Sequence, residues 1–84
     1  MEKNKKTTHK IILYRTEHCP YCHMTAEFFR QNNIKFEEVW VDKDREKALE
    51  MIMKSGQTGV PVIDIDGNIV VGFDVVKLKQ LLGI

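Results

Sequence analysis

A strand–helix–strand pattern in the first half of the chain restricts the possible folds more than any other feature of the sequence. Two segments rich in β-branched and aromatic residues, 11–14 and 36–41, have the composition of buried strands. Between them, Pro20 marks the start of a helix and Asn32-Asn33 its end, because proline favours the first helical position and asparagine tolerates the left-handed turn beyond the last. Such a βαβ unit has a right-handed crossover, which makes the two strands parallel.

A second helix is predicted to follow the second strand. Asp42 and Asp44 can cap its N-terminus, and Gly56 can adopt the left-handed conformation that ends a helix just after Lys54. Glu50 and Lys54 have the spacing of a favourable i,i+4 ion pair. The apolar positions at helical spacing in this segment are Ala48, Leu49, Ile52 and Met53.

The last third of the chain predicts a hairpin and a third helix. Two aliphatic segments, residues 60–65 and 68–71, flank Asp66-Gly67, a dipeptide that favours two-residue hairpin turns. Asp74 can cap a last helix, whose apolar side chains would cover the sheet. The predicted order is β-α-β-α-β-β-α, an α/β fold with a four-stranded mixed sheet and helices on both faces.

The composition limits both the size of the fold and the class of function. The chain has 84 residues and is 43% hydrophobic, which suits one small globular domain with a single thin core. A formal net charge of +1 does not suit a dedicated nucleic-acid binder, whose lysines and arginines would clearly outnumber its acids. No apolar run approaches the roughly 18 residues that span a bilayer. We therefore expect a monomer with neither nucleic-acid nor membrane partners.

The N-terminal segment, residues 1–9, is predicted to be a flexible basic tail ahead of one domain over residues 10–84. It is rich in lysine and could be mistaken for the start of a secretion signal. The apolar segment behind it, residues 11–14, is too short for the core of such a signal, and no small-residue cleavage site follows. We therefore expect a cytoplasmic protein.

The two cysteines of the chain lie close together, in Cys19-Pro20-Tyr21-Cys22. Proline at the first helical position makes Cys19 the N-cap and Cys22 the third residue of the helix. A sulfur at the N-cap faces the unpaired N–H groups of the first turn and the positive end of the helix dipole, and both stabilise a thiolate. Cys22 lies one turn further along the same face, within reach of a disulfide.

This geometry predicts thiol–disulfide exchange. Cys19 would attack a substrate disulfide as the thiolate, and Cys22 would then attack the mixed disulfide, releasing reduced substrate and leaving an oxidised cysteine pair. His18, when protonated, would stabilise the thiolate further, whereas an exposed loop histidine without a role is the more frequent case. No role is assigned to His23.

Three other interpretations of the cysteine pair are weaker. A purely structural disulfide would close a loop too small to add much stability. Cys19 to His23 also match the attachment motif of c-type haem, but that chemistry requires export, for which the sequence has no signal. A metal or intersubunit iron–sulfur site at His18, Cys19, Cys22 and His23 would lack the second, distant ligand pair of structural zinc sites. It stays open as the alternative of a small metal or cluster carrier, with no metal ligand assigned.

These cysteines and two later motifs make the chain similar to glutaredoxins. The motifs are Thr58-Gly59-Val60-Pro61-Val62 and, at the start of the last helix, Gly72-Phe73-Asp74. The resemblance extends over nearly the whole chain and is strongest to the short glutaredoxin-like redoxins of prokaryotes. It implies the thioredoxin fold and a thiol–disulfide oxidoreductase that takes part in electron transport and cell redox homeostasis without a bound cofactor. In that activity Cys19 is the nucleophile and Cys22 the resolving thiol.

The resemblance also implies which residues contact substrate. Pro61 would have a cis peptide bond and lie against the cysteines, and Val60 would offer its backbone N–H and C=O to a disulfide-containing protein substrate. Gly72 and Asp74 would place the N-terminus of the last helix towards the site, ready for a carboxylate such as those of glutathione. The full set of implied substrate-binding residues is Arg15, Pro20, Tyr21, Val60, Pro61, Gly72, Phe73 and Asp74.

Two departures from the usual glutaredoxin pattern bear on the reductant. Dithiol glutaredoxins commonly have a lysine three residues before the nucleophile that helps to hold glutathione, and this chain has Thr16 there with Arg15 beside it. They also tend to have two adjacent glycines before the last helix, where this chain has Val71-Gly72-Phe73. That segment is similar to the redoxins that serve ribonucleotide reductase. The tetrad from Cys19 to Cys22 therefore favours glutathione as the reductant, whereas the flanking residues favour thioredoxin reductase.

Overall fold

Four strands and three helices follow one another along residues 9–84, the part of the chain that the computed structural model describes. Their order is the predicted β-α-β-α-β-β-α. The elements are β1 (Ile11–Arg15), α1 (Pro20–Gln31), β2 (Glu37–Trp40), α2 (Arg45–Ser55), β3 (Val62–Ile65), β4 (Asn68–Val71) and α3 (Val75–Leu82). Within residues 9–84, no helix is both long and apolar enough to cross a membrane.

The strands form one mixed sheet in the order β2-β1-β3-β4. β1 pairs in parallel with β2, as the βαβ unit requires, and antiparallel with β3, which pairs antiparallel with β4. The hairpin between β3 and β4 turns at Asp66-Gly67, whose φ angles of 53° and 93° are of the positive sign that a type I′ turn needs. The predicted sheet and hairpin are confirmed.

The predicted helix caps are also present. Asp44 accepts hydrogen bonds from backbone N–H groups in the first turn of α2, and Gly56, at φ 75°, ends that helix. Asp74 caps α3 in the same way. These contacts satisfy N–H groups that have no carbonyl partner inside the helix, so they place the helix starts where the sequence predicts them.

The start of the described chain is held at the β3–β4 turn. His9 Nδ1 lies 2.6 Å from Asp66 Oδ2, and the backbone N–H of Lys10 donates to Asp66 Oδ1 at 2.8 Å. The hydrogen bond with His9, followed by that from Lys10, lowers the pKa of Asp66 below its ordinary value. The other residues of the predicted basic tail, 1–8, lie outside the described residues.

Side chains of β1 alternate between the two faces of the sheet and so contribute to two separate cores. Leu13 faces α1 and α3, where it lies in one buried cluster with Phe29 and Leu78. Tyr14 faces α2 and lies in a second cluster with Met51. Thus α1 and α3 cover one face of the sheet and α2 covers the other, as predicted.

A hydrogen-bonded network of polar side chains crosses the α2 face. The Tyr14 hydroxyl donates to the Glu50 carboxylate, and the Lys54 ammonium donates to the Tyr14 oxygen at 2.7 Å and to Asp64 Oδ2 at 2.8 Å. Asp64 lies in β3 and is only 8% exposed, so its charge needs these partners, together with the Gly67 N–H 2.7 Å from Oδ1. The network joins α2 to β1, β3 and the hairpin turn.

The structure differs from the sequence prediction in which face of α2 is buried. Leu49 and Met53 are 54% and 86% exposed, and Met51 enters the core instead. The polar network explains the difference, because Glu50 and Lys54 must turn towards the sheet to reach their partners and Met51 turns with them. The predicted Glu50–Lys54 ion pair is present at 3.7 Å.

The other two helices each bury one apolar face and leave some apolar side chains exposed. In α1, Tyr21 and Met24 are exposed, while the adjacent stripe with Cys22 and Phe29 is fully buried. In α3, Val76 is exposed although its neighbours cover the sheet. A helix on the surface of a small domain buries one face only, so apolar side chains on its other faces stay in contact with solvent.

Lys54→Met should lower the free energy of unfolding by about 2 kcal/mol, because it leaves the Asp64 carboxylate in β3 without its cation. Lys47→Met is the matched control. Lys47 makes an exposed ion pair with Glu50 at the same helix surface, and its loss should cost less than about 0.5 kcal/mol. Urea unfolding followed by circular dichroism measures both changes, and equal losses would contradict the importance of the Lys54–Asp64 contact.

The Tyr14–Glu50 hydrogen bond should make stability depend on pH in the acid range. The Tyr14 hydroxyl holds the pKa of Glu50 below its ordinary value of 4.5. Such a carboxylate stabilises the fold above its ordinary pKa, and the contribution is lost as pH falls below 4.5 towards the folded value. The melting temperature of Tyr14→Phe should therefore decrease less than that of the unaltered chain between about pH 5 and pH 3. Parallel decreases would show that this bond has no such effect.

Candidate active site

The cysteine pair lies at the N-terminus of α1, where the sequence predicts it. Cys19 is the N-cap residue, with an extended backbone (φ −140°, ψ 101°), and Pro20 is the first helical residue. Cys19 and Cys22 are joined by a disulfide, with their Cα atoms 5.2 Å apart. The start of the helix thus accommodates the oxidised form of the pair.

The first turn of α1 directs a backbone donor at the Cys19 sulfur. The N–H of Cys22 donates to Cys19 Sγ over an N···S distance of 3.1 Å, the contact that the oxygen of an N-cap serine or aspartate usually makes. The first turn contains no acidic side chain, so none there opposes the positive end of the helix dipole. Once the disulfide is reduced, the same donor and dipole stabilise a thiolate at Cys19.

The two cysteines differ in access to solvent. Cys22, in the first turn of α1, is fully buried, whereas Cys19, at the N-cap of the same helix, is partly exposed. An external disulfide can therefore reach Cys19 and cannot reach Cys22. The start of the helix thus presents one sulfur to solvent and encloses the other.

Two further predicted segments lie at the same end of the sheet. Val62, the first residue of β3, pairs with β1 and β4 near the strand ends that lead to Cys19 and to Gly72. The Val60–Pro61 peptide bond immediately before β3 is cis, as the resemblance implies. The Pro61 carbonyl accepts a hydrogen bond from the Gly72 N–H at 2.8 Å, which joins the two segments to each other.

Other predicted contact residues have partners within the fold. The Phe73 ring packs edge-on against Phe28, with centroids 6.1 Å apart, beside the core under α1. Asp74 Oδ1 accepts the Lys77 N–H at 3.1 Å as the cap of α3. Pro20 and Tyr21, by contrast, are exposed between the cysteines and free to meet a substrate.

An open groove lies beside Cys19, between the start of α1 and the end of β1. Its lining includes Arg15, Glu17, His18, Cys19, His23 and Met24. None of the segments around Val60, Pro61 or Gly72 lines it. The groove is thus a surface next to Cys19 that is separate from the predicted peptide-binding segment.

Arg15 is buried in the wall of this groove although it is charged. Its side chain is 7% exposed, and Nη1 donates to Glu38 Oε2 at 2.9 Å. The guanidinium carbon lies 4.3 Å from the centroid of the Trp40 ring. Sequence analysis missed both partners. The available signal was the two-residue period of β2, which puts Glu38 and Trp40 on one face, and Trp40 pairs directly with Arg15.

Among residues 9–84, no three histidine, cysteine, aspartate or glutamate side chains lie close enough together to hold a metal ion. The histidines of the predicted alternative metal site, His18 and His23, lie in the lining of the groove, with Cys19. The polar groups near the cysteines therefore include the Cys22 N–H, the buried Arg15 and the two histidines.

Comparison with known proteins identifies the family. A family model described as Glutaredoxin matches residues 11–70. An uncharacterized glutaredoxin-like 8.6 kDa protein in the rubredoxin operon of Clostridium pasteurianum is 44% identical over 72 residues, which is 86% of this chain and 96% of that protein. Glutaredoxin 3 of Escherichia coli K12 is 39% identical over 64 residues, covering 76% of this chain and 77% of the relative.

Solved structures show the same arrangement of sheet and helices. A mutant of a thioredoxin-like protein aligns with a TM-score of 0.85 at 37% identity, covering 89% of this chain and 96% of the other. A glutaredoxin from Archaeoglobus fulgidus aligns with a TM-score of 0.81 at 26% identity, covering 98% and 95%. The fold is the thioredoxin fold. The chain therefore belongs to the glutaredoxin family, and family and fold together support a role as a thiol–disulfide oxidoreductase.

Proposed function

We propose that this chain reduces protein and glutathione mixed disulfides by a dithiol mechanism, with Cys19 as nucleophile and Cys22 as resolving thiol. The observation that carries the proposal is the hydrogen bond from the Cys22 N–H to Cys19 Sγ, at the exposed tip of a helix whose other cysteine is buried. A donor at 3.1 Å stabilises charge on one sulfur only. That asymmetry supports the proposed order of the two reactions.

The reaction consists of two exchanges that together transfer two electrons. The Cys19 thiolate attacks one substrate sulfur, a new S–S bond forms, and the substrate disulfide breaks; the leaving sulfur keeps the electron pair and takes up a proton from solvent. The Cys22 thiol then loses its proton and attacks Cys19 Sγ. This step releases the second substrate thiol and forms the Cys19–Cys22 disulfide present in the structure.

Substrate binding is proposed to use the segment before β3 and the exposed part of the active-site turn. Val60 precedes the first residue of β3, so its backbone can pair with an extended substrate segment. The hydrogen bond from the Gly72 N–H to the Pro61 carbonyl holds this segment against the loop that precedes α3. Tyr21, exposed between the cysteines, offers an aromatic surface to the same substrate.

The unit proposed to carry this activity is residues 10–84, acting as a cytoplasmic monomer without a bound cofactor. Two reductants fit different parts of it. The tetrad from Cys19 to Cys22 is typical of proteins recharged by glutathione, and the Gly72-Phe73 pair is typical of redoxins that are recharged by thioredoxin reductase and supply ribonucleotide reductase. The choice between them sets the partner and leaves the two-cysteine chemistry unchanged.

In the reduced protein, iodoacetamide should modify Cys19 at least about tenfold faster than Cys22 near neutral pH, because only Cys19 is accessible and stabilised as a thiolate. Peptide mapping by mass spectrometry measures the two rates. In urea the helix start is lost, and the rates should become similar. Equal, slow modification of both cysteines in the folded protein would contradict the assignment.

Cys19→Ser should abolish disulfide reduction, whereas Cys22→Ser should still form a mixed disulfide and stop there, because the buried resolving thiol is absent. Mass spectrometry identifies the trapped species. For the unaltered chain, glutathione with glutathione reductase should be compared with NADPH and thioredoxin reductase. Turnover with one system names the reductant, and turnover with neither would contradict the proposed function.

A further inference from the structure

The groove beside Cys19 contains a buried cation whose hydrogen-bonding capacity is only partly used. Within residues 9–84, Arg15 Nε donates to the Thr16 carbonyl at 3.4 Å and Nη1 donates to Glu38, while Nη2 has no acceptor there. A guanidinium presents its N–H groups in a fixed planar fork that matches a carboxylate. Arg15 therefore has donors left for a ligand in a groove that already includes the nucleophile.

The partner of Arg15 does not neutralise this charge fully. Arg30 Nη2 lies 3.6 Å from the same Glu38 oxygen that accepts the Arg15 hydrogen bond, so one carboxylate serves two guanidinium groups. Arg30 also meets Glu27 at 3.6 Å, but that pair is about half exposed and screened by solvent. Of the two arginines that share Glu38, Arg15 is the buried one. Its positive charge is therefore less screened by solvent and acts on the groove that it lines.

The acid that lines the groove, Glu17, is already engaged. Glu17 pairs with Lys43 at 3.2 Å, and its backbone N–H donates to Asp42 Oδ2 at 3.2 Å. The Lys43 ammonium lies 5.5 Å from the centroid of the Trp40 ring, close to the stacked Arg15. A carboxylate that enters the groove therefore meets Arg15 beside Glu17, whose charge is paired with Lys43 on the exposed surface.

We propose that this groove binds an acidic side chain next to the reactive cysteine of a protein disulfide substrate, with Arg15 as its anchor. The inference rests on the proposed reductase function and names the substrate class of the same site. The groove is open and contains the apolar Met24 as well as the cation, which suits a segment of protein surface. It lies apart from the Val60–Pro61 segment, so it can recognise a substrate side chain while the backbone is bound elsewhere.

Two peptides that differ only in Glu or Gln beside a single cysteine test this inference. Each is used as its 2-pyridyl disulfide with the reduced Cys22→Ser variant, so that one step is measured. The Cys19 thiolate forms a bond to the peptide sulfur, the bond to the pyridyl sulfur breaks, and 2-thiopyridone leaves with the electron pair and takes up a proton. The absorbance of 2-thiopyridone gives the second-order rate constant for each peptide.

The Glu peptide should react about three- to tenfold faster than the Gln peptide at low ionic strength, and added salt should reduce this ratio. Arg15→Gln should bring the ratio to about one. Since the ratio compares two peptides on one variant, it is independent of changes in Cys19 reactivity or in the folded fraction. Glu38→Gln should increase the ratio, because it removes the carboxylate that competes for Arg15.

Glu37→Gln is the matched control. Glu37 is exposed and lies on the opposite face of β2 from Glu38, so its substitution should leave the ratio unchanged. A ratio of one in the Arg15-containing protein, or a ratio that persists in Arg15→Gln, would overturn the inference. The pyridyl disulfide of glutathione is the third substrate. If Arg15→Gln lowers its rate constant but leaves the Glu/Gln peptide ratio unchanged, the groove binds glutathione and the inference is overturned. Failure to react with any of the three would contradict the reductase function itself.

Discussion

The hydrogen bond from the Cys22 N–H to the Cys19 sulfur depends on the residue at which α1 begins, and the candidate site is organised around that point. Pro20 lacks an N–H and has a preset φ, so the helix starts directly after Cys19. The Cys22 N–H, one of the first-turn N–H groups that have no carbonyl partner, then points at the sulfur. An oxygen in this position stabilises only the helix, whereas a sulfur also gains stabilisation of its reactive, charged form.

Contacts on the two faces of the sheet differ in kind. Apolar packing on one face positions α1, and a network of polar side chains on the other face joins α2 to the strands. Phe29 and Leu13, both fully buried, pack α1 against the sheet, and Arg30 of α1 adds an ion pair with Glu38. On the opposite face, Lys54 joins α2 to Tyr14 and Asp64. No residue of this network lines the groove beside the nucleophile. Titration of the network therefore acts on the stability of the fold and is spatially separate from the exchange chemistry.

Arg15 combines a structural task with the recognition task proposed for it. Stacking on Trp40 and the hydrogen bond to Glu38 offset the free energy of burying a guanidinium at the end of β1. Arg15 also lines the groove beside Cys19, where the proposed role of its charge is to discriminate between substrates more than to add stability. The two proposed binding surfaces thus differ in chemistry: the Val60–Pro61 segment would offer backbone groups, and the groove would offer a cation.

By itself the sequence determined the order of elements, the helix caps, the Asp66-Gly67 turn and the position of the cysteine pair, since each depends on residues only a few positions apart. The cis bond before Pro61 was predictable only through family resemblance. The tertiary structure decided that Met51, rather than Leu49, faces the core, because both fit a helical period and the choice depends on polar groups of distant strands. It also decided the surroundings of Arg15, because the pairing of β1 with β2 brings its partners to it.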